Sequence, residues 1–118
     1  MLDTLPLLNR LDFPPIKRRA LDTLQVNLTY ECNQRCLHCH VNAGPTRTEA
    51  MTDEVIEDLY RVLDAHSVQT LDLTGGAPEM HPRFRDIVRH ARTEGIEVID
   101  RCNLTILSEP GYEDLAAF

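Results

Sequence analysis

No apolar run in this sequence approaches the roughly 20 residues that a helix needs to cross a bilayer. Met1–Leu8 carries Asp3 and has neither a basic start nor a sustained apolar stretch, so it is not a secretory signal. A cytoplasmic, reducing location is therefore expected, where clustered cysteines read as metal ligands rather than disulfides. The Asn27-Leu28-Thr29 and Asn103-Leu104-Thr105 sequons then carry no glycan. Positive charge is scarce as well. With 12 Lys and Arg against 19 Asp and Glu, the net charge of −7 opposes nonspecific nucleic-acid binding. Arg10, Lys17, Arg18 and Arg19 make the start locally basic, but no aromatic residues interleave them, and they read as a solvated face. Neither nucleic acid nor a membrane is an expected partner. Oligomeric state is not legible. At 118 residues the chain has room for one core, and a chain of this size buries about two-thirds of its unfolded surface.

What remains has a clear order. Residues 1–23 read as an irregular leader, broken by Pro6, Pro14 and Pro15. Leu24–Tyr30 alternates apolar and polar residues, a strand pattern. After a loop ending at Gly44-Pro45, Thr52 is placed to cap a helix whose apolar positions are Val55, Ile56, Leu59, Val62 and Leu63. Val68–Thr74 predicts a second strand, with Leu71 and Leu73 on one face and Thr70, Asp72 and Thr74 on the other. A second helix is expected from about His81, with Pro82 at its first position, Phe84, Ile87, Val88 and Ala91 as its stripe, and Gly95 at its end. Ile96–Asp100 predicts a third strand, and Ser108 to Pro110 the start of a third helix burying Leu115 and Phe118.

Strand and helix alternation implies an α/β fold with parallel strands and right-handed crossovers. The loops that follow the strands would then share one rim, the rim on which α/β barrels carry their sites. Three βα units cannot close a barrel, so residues 24–118 are expected to be the first half of a partial, apparently truncated (β/α) barrel.

The loop after the first strand contains three of the four cysteines, Cys32, Cys36 and Cys39, spaced C-x3-C-x2-C. Soft thiolates suit zinc or an iron–sulfur centre. With His38 or His40 as a fourth ligand, the loop would make a Cys3His zinc site and the chain a structural or interaction module. Cys36-Leu37-His38-Cys39-His40 also fits C-x-x-C-H, a c-type haem attachment pattern, although that chemistry usually accompanies export. Three cysteines on a cubane would leave one iron without a protein ligand.

C-x3-C-x2-C after a first strand, with Gly75-Gly76 after a second, resembles the radical S-adenosylmethionine (SAM) superfamily. A narrower resemblance lies in Cys32–Pro45, Thr74–Met80 and Asp100–Thr105, which look like the arsenosugar biosynthesis radical SAM proteins. The resemblance implies that Cys32, Cys36 and Cys39 ligate a [4Fe-4S] cluster whose open iron is chelated by SAM. It implies an electron donor such as flavodoxin or ferredoxin and a small-molecule substrate. Reductive cleavage of SAM would release methionine and a 5′-deoxyadenosyl radical, which the family is understood to join to dimethylated trivalent arsenic. Gly75 and Gly76 would let backbone approach SAM's methionine moiety. The superfamily's Gly-Gly-Glu becomes Gly75-Gly76-Ala77 here, with the acid two residues later at Glu79, so backbone from Gly75 to Ala77 and the Glu79 carboxylate are the candidates for SAM's amine. His38 stands where an aromatic residue often precedes the third cysteine.

Cys102, at the end of the third strand, reads either as a substrate contact (in that family, a thiol for trivalent arsenic) or as a small buried apolar residue. Asn103 is read as a SAM neighbour or a turn residue. Asn27 and Thr29 share the polar face of the first strand and are expected to make core hydrogen bonds; Asp72 is a candidate buried polar residue. His40 is expected behind the ligands rather than among them, His81 at a helix start, and His66 and His90 on the surface.

Overall fold

The computed structural model describes residues 5–9, 11, 12, 14, 16, 17 and 19–118. Arg10, Pro15 and Arg18 of the leader, and the first four residues of Met1–Leu8, lie outside the described residues. Within the leader one helical turn, α1 (Leu5–Leu8), precedes irregular chain. No described helix is long and apolar enough to cross a membrane.

The rest alternates as expected: β1 (Thr23–Thr29), α2 (Asp53–Ala65), β2 (Thr70–Gly75), α3 (Phe84–Thr93) and β3 (Glu97–Asp100). The strands form one open parallel sheet in the order β1-β2-β3, the α/β fold of a partial barrel. Register aligns Leu24 with Leu71 and Val98, and Val26 with Leu73. These side chains share one face with Leu28, and there they pack against Ile56, Leu59 and Leu63 of α2 and Phe84, Ile87 and Ala91 of α3. Leu28, Ile56, Leu71, Leu73 and Ile87 are fully buried, each worth about 1.5–3 kcal/mol of transfer free energy.

The opposite face is polar. Gln25 and Asp72 are register partners, and Gln25 donates to the Asp72 carboxylate at 2.8 Å. Arg101, just past β3, adds two bonds of 2.7 and 2.8 Å to the same carboxylate. Arg101, and after it Gln25, hold Asp72 below the usual carboxylate range. Asp72 is only 5% exposed, but the Gln25 and Arg101 side chains cover it rather than depth in a core. Parallel strands covered on both faces read as near-continuous apolar runs. β1 and β2 alternate instead, which marks the helix-free face as one built to meet something polar.

Local chemistry explains the ends. Thr52 Oγ1 accepts the Val55 N–H at 3.4 Å, while Asp53 and Glu54 complement the N-terminus of α2. Gly95, at φ +76°, closes α3 and returns its N–H to the Arg92 carbonyl. Val55, expected on the buried stripe, is 47% exposed.

Four expectations are corrected. Pro82 is not the first residue of α3; Pro78–Met80 forms a short 3₁₀ turn and the helix starts at Phe84. The reason is His81, which is buried and whose Nδ1 accepts the Arg83 N–H at 3.1 Å, with Nε2 2.9 Å from the Met51 carbonyl oxygen. These bonds hold His81 and Pro82 in the preceding turn, and α3 begins after Arg83, which caps it without a side-chain bond. No α-helix follows Ser108. The segment makes 3₁₀ turns at Thr105–Ser108 and Leu115–Ala117, because Pro110 lacks a donor and Gly111 takes φ +90°. Leu115 is half-buried, while Phe118 stays 44% exposed, with the Arg85 and Arg89 guanidinium groups 4.9 and 5.0 Å from its ring centre. His90, expected on the surface, is half-buried; its Nε2 meets Asp64 of α2 at 2.9 Å and its ring packs on Tyr60.

Candidate functional site

All three strand-ending loops converge. The chain leaves β1 through a loop that folds back on itself. Tyr30 accepts the Gly44 N–H at 3.1 Å, the Tyr30 N–H reaches the Glu49 carbonyl at 2.9 Å, and Met51 returns to the Leu28 carbonyl at 2.8 Å. Thr29 is buried and its hydroxyl is spent locally, donating to the Glu49 carbonyl and accepting the Glu31 N–H. Asn27 is exposed at the mouth of the same face.

Cys32 is buried, Cys39 half-buried and Cys36 exposed. Cys32 Sγ receives the Gln34 N–H at 3.4 Å and the Asn103 amide at 3.6 Å; Cys39 Sγ receives the Ala43 N–H at 3.3 Å. The backbone amides of Ala43 and then Val41 hold the Cys39 thiol below its ordinary range. Amides aimed at sulfur favour thiolate over thiol, which is what a metal centre requires of its ligands. His38 and His40 are exposed on this loop. Among the described residues, the ligand atoms of the three thiols and the two histidines do not gather in threes within 4.8 Å of one another. A single tetrahedral zinc, with Zn–S bonds of about 2.3 Å, would draw its thiolates to roughly 4 Å apart. The geometry lends the zinc module no support.

Arg47 locks the exit of the loop. Its guanidinium donates to both Glu49 carboxylate oxygens, reaches the Asn42 carbonyl at 2.7 Å, and lies 4.7 Å over the Tyr30 ring. Arg47 pulls Glu49 down from its ordinary 4.5 to about 2. A depressed carboxylate stabilises the folded chain above its unfolded value, and that contribution is lost as pH falls from about 4.5 to about 2. Glu49→Gln is therefore expected to flatten the acid limb of thermal stability in that window and to change little at neutral pH. An unaltered acid limb would remove Glu49 from the lock.

Gly75 and Gly76 end β2 against this loop. The Gly76 N–H donates to the Thr29 carbonyl at 2.7 Å and the Ala77 N–H to the Glu31 carbonyl at 2.9 Å. Gly75 has φ +141°, and a Cβ there would strike the Thr29 carbonyl oxygen; at Gly76 it would strike the Glu31 carbonyl oxygen and stand 3.0 Å from Cys32 Cβ. Both glycines are thus required by the protein's own packing, a reason the sequence reading did not contain.

The third loop closes the group. The Asn103 amide donates to Asn33 Oδ1 at 2.8 Å as well as to Cys32 Sγ, and Asn103 Oδ1 accepts the Ile106 N–H at 3.1 Å. Ile106, fully buried, anchors the segment. Cys102 is half-buried and its Sγ takes the Leu104 N–H at 3.3 Å. Below the rim, the Cys102 sulfur, a Glu79 carboxylate oxygen and an Asp100 carboxylate oxygen lie within 4.8 Å of one another. Burial, and then Glu79, pushes Cys102 up to about 11; Asp100 is exposed at the strand end, and crowding by the surrounding chain, and then the Glu79 charge, raises it to about 7. Asp100 was not singled out from sequence. Its signal was period-two spacing, which sets it on the same face as Val98, the face that packs against the core.

A family model described as the Radical SAM superfamily matches residues 26–118. The GTP 3′,8-cyclase of Chlorobaculum tepidum is 32% identical over 82 residues, covering 69% of this chain and 25% of that protein. The probable GTP 3′,8-cyclase of Metallosphaera sedula is 33% identical over 82 residues, covering 69% of this chain and 26% of that protein. Molybdenum cofactor biosynthesis protein 1 of Mus musculus is 36% identical over 85 residues, covering 70% of this chain and 13% of that protein. The chain thus spans about a quarter of the length of the first of these curated relatives. No solved structure matches. None of these three relatives carries an arsenosugar name. From the match over residues 26–118, together with the cysteine loop set at the C-terminal rim of a parallel sheet, it follows that the chain belongs to the radical SAM superfamily.

Proposed function

We propose that this chain carries the cluster- and SAM-binding part of a radical SAM enzyme. Cys32, Cys36 and Cys39 are the thiolates for three irons of a [4Fe-4S] cluster, leaving one iron open to the amino and carboxylate groups of SAM. When bound, the cluster supplies the electron that splits SAM into methionine and a 5′-deoxyadenosyl group. The single observation that carries this reading is the joining of three loops at Cys32: Ala77 binds the Glu31 carbonyl next to it, and Asn103 reaches its sulfur. The donor set fits, since three soft thiols lie on one loop with backbone and amide N–H groups directed at two of them. Backbone of Gly75 to Ala77 lines the approach for the methionine moiety, and Asn103 stands beside it. Glu79, two residues past Ala77, makes no direct bond to the amine, because its carboxylate is enclosed.

The finer reading is transfer of the adenosyl group to dimethylated trivalent arsenic, supported by the residues of the three loops. The relatives' names favour a second substrate, GTP. Anaerobic reconstitution should yield about four irons and four sulfides per chain, and SAM should alter the EPR spectrum of the reduced cluster. One tightly held zinc and no chromophore would end the reading. Offered dimethylarsinous acid and GTP separately with SAM and reductant, the protein should form an adenosyl–arsenic adduct. Consumption of GTP, or 5′-deoxyadenosine alone, would overturn the arsenical assignment while leaving SAM cleavage in place.

A further inference from the structure

One buried charge in the described fold has no permanent partner. Glu79 is 5% exposed, and neither of its buried carboxylate oxygens has a permanent hydrogen-bond donor among the described residues; the facing Asp100 carboxyl and Cys102 thiol can bond to it only while they hold a proton. An enclosed carboxylate in that condition costs several kcal/mol unless something neutralises it. Arg85, which shares a cavity wall with it, is committed to Asp114 at 2.6 and 2.8 Å, and Arg101, next to Asp100 in sequence, to Asp72 at 2.7 Å. What Glu79 faces instead are two further metal-ligand groups, the Asp100 carboxylate and the Cys102 thiol, with one ligand atom of each within 4.8 Å of the others. Three potential anions converge, and the cation that would justify the arrangement is not supplied by any described side chain.

We propose that Glu79, Asp100 and Cys102 form a binding site for a divalent, thiophilic metal ion such as Zn²⁺, separate from the three loop thiols. The donor set selects the class. Zinc takes cysteine sulfur at about 2.3 Å and carboxylate oxygen at about 2.0–2.2 Å, so its ligand atoms stand roughly 3.3–3.8 Å apart, a small contraction from the spacing here. Magnesium and calcium prefer all-oxygen shells and would leave the thiol unused. On binding, the ion replaces the thiol proton and any proton held by the two carboxyl groups, which pass to solvent. A cavity of about 310 Å³ along the turn at Pro110–Tyr112 reaches Glu79 but not Asp100 or Cys102; Asp100 is itself exposed, which gives an ion access from solvent and leaves a fourth position for water. The ion would also brace β3 against the Pro78–Met80 turn, directly beneath Ala77 and Asn103. Cys102 then has a different task from the substrate contact expected of it.

This inference does not depend on SAM or on the cluster, and its test is built accordingly. Co²⁺ alone is titrated anaerobically into the Cys32→Ala/Cys36→Ala/Cys39→Ala chain, which cannot bind metal through the loop. One equivalent should bind with a sulfur-to-cobalt charge-transfer band in the near ultraviolet. Adding Cys102→Ser should remove the band, and adding Glu79→Gln should weaken binding by at least about tenfold. Failure to bind one equivalent, a band that survives Cys102→Ser, or unchanged affinity in Glu79→Gln would overturn the proposal. Should circular dichroism show the triple variant unfolded, the cluster-loaded full chain is dialysed against Zn²⁺ and analysed for metal. One zinc beyond the iron, lost in Cys102→Ser, supports the site; no zinc, or zinc retained in that variant, rejects it.

Discussion

Serine at Cys36 is expected to lower iron after anaerobic reconstitution from about four per chain to roughly three or fewer, and to reduce SAM cleavage to the level of reductant alone. The fold should not change. Cys36 is exposed, and its side chain's one hydrogen bond is a long 3.7 Å contact from Sγ to Gln34 Oε1. Substitutions at such positions usually stay within about 0.5 kcal/mol. Thermal unfolding of the apo chain should therefore match the parent while iron and activity fall together. The same change at Cys32 would mix two effects. That thiol is buried and accepts from Gln34 and Asn103, so a smaller serine hydroxyl there would lengthen both bonds and disturb the packing of the loop as well as remove a ligand, although Asn103 keeps its bond to Asn33. Cys39 stands between the two. A Cys36→Ser chain that keeps full iron and parental cleavage would take the loop out of the cluster altogether.

The arrangement explains why a site of this kind sits where it does. Parallel strands deliver their C-terminal ends to one rim, so loops distant in sequence become neighbours without any long excursion. Asn33 and Asn103, joined at 2.8 Å, are 70 positions apart. The helix-free face beneath that rim is polar, and Asp72 organises it by accepting from both Gln25 and Arg101. A rigid apolar layer on one side of the sheet and a hydrogen-bonded polar layer on the other give the loops a fixed base.

Much of this was legible because it is local or periodic. Cysteine spacing is a covalent fact, period-two alternation assigned Leu71 and Leu73 to the core, and Thr52 declared its cap within three residues. What was hidden depends on partners far along the chain. Pro82 has every local mark of a first helical residue, yet α3 starts only at Phe84, because the His81 ring is held in the preceding turn by Met51, 30 positions earlier. Leu115 and Phe118 carry a helical spacing that Pro110 and Gly111 never allow to start. The glycines were recognised as a pair, but the reason assigned to them was a ligand's approach. Asp100 reads as an ordinary strand end until register brings it beside Leu73, on the packed face, close to Glu79.

Gly76→Ala should cost about 3 kcal/mol or more and should deplete iron even though no ligand is altered. The added Cβ would strike the Glu31 carbonyl oxygen, stand 2.8 Å from the Glu31 carbonyl carbon and 3.0 Å from Cys32 Cβ. Nothing nearby gives way cheaply. The Glu31 oxygen is the acceptor for the Ala77 N–H at 2.9 Å, and the Thr29 carbonyl, two residues earlier, holds the Gly76 N–H at 2.7 Å. Relief therefore means breaking the seam between β2 and the cysteine loop or pushing Cys32 off its place, and either one spoils the spacing of the thiols. Gly95 and Gly111 supply the control, since each has positive φ, +76° and +90°, but open space where a Cβ would stand. Alanine there should cost only about 1–2 kcal/mol of left-handed strain and leave reconstitution intact. Urea unfolding and iron content of the three variants would separate a steric seam from backbone strain. If Gly76→Ala matched Gly95→Ala in both measurements, the close approach of β2 to the cysteine loop would not be what shapes the site.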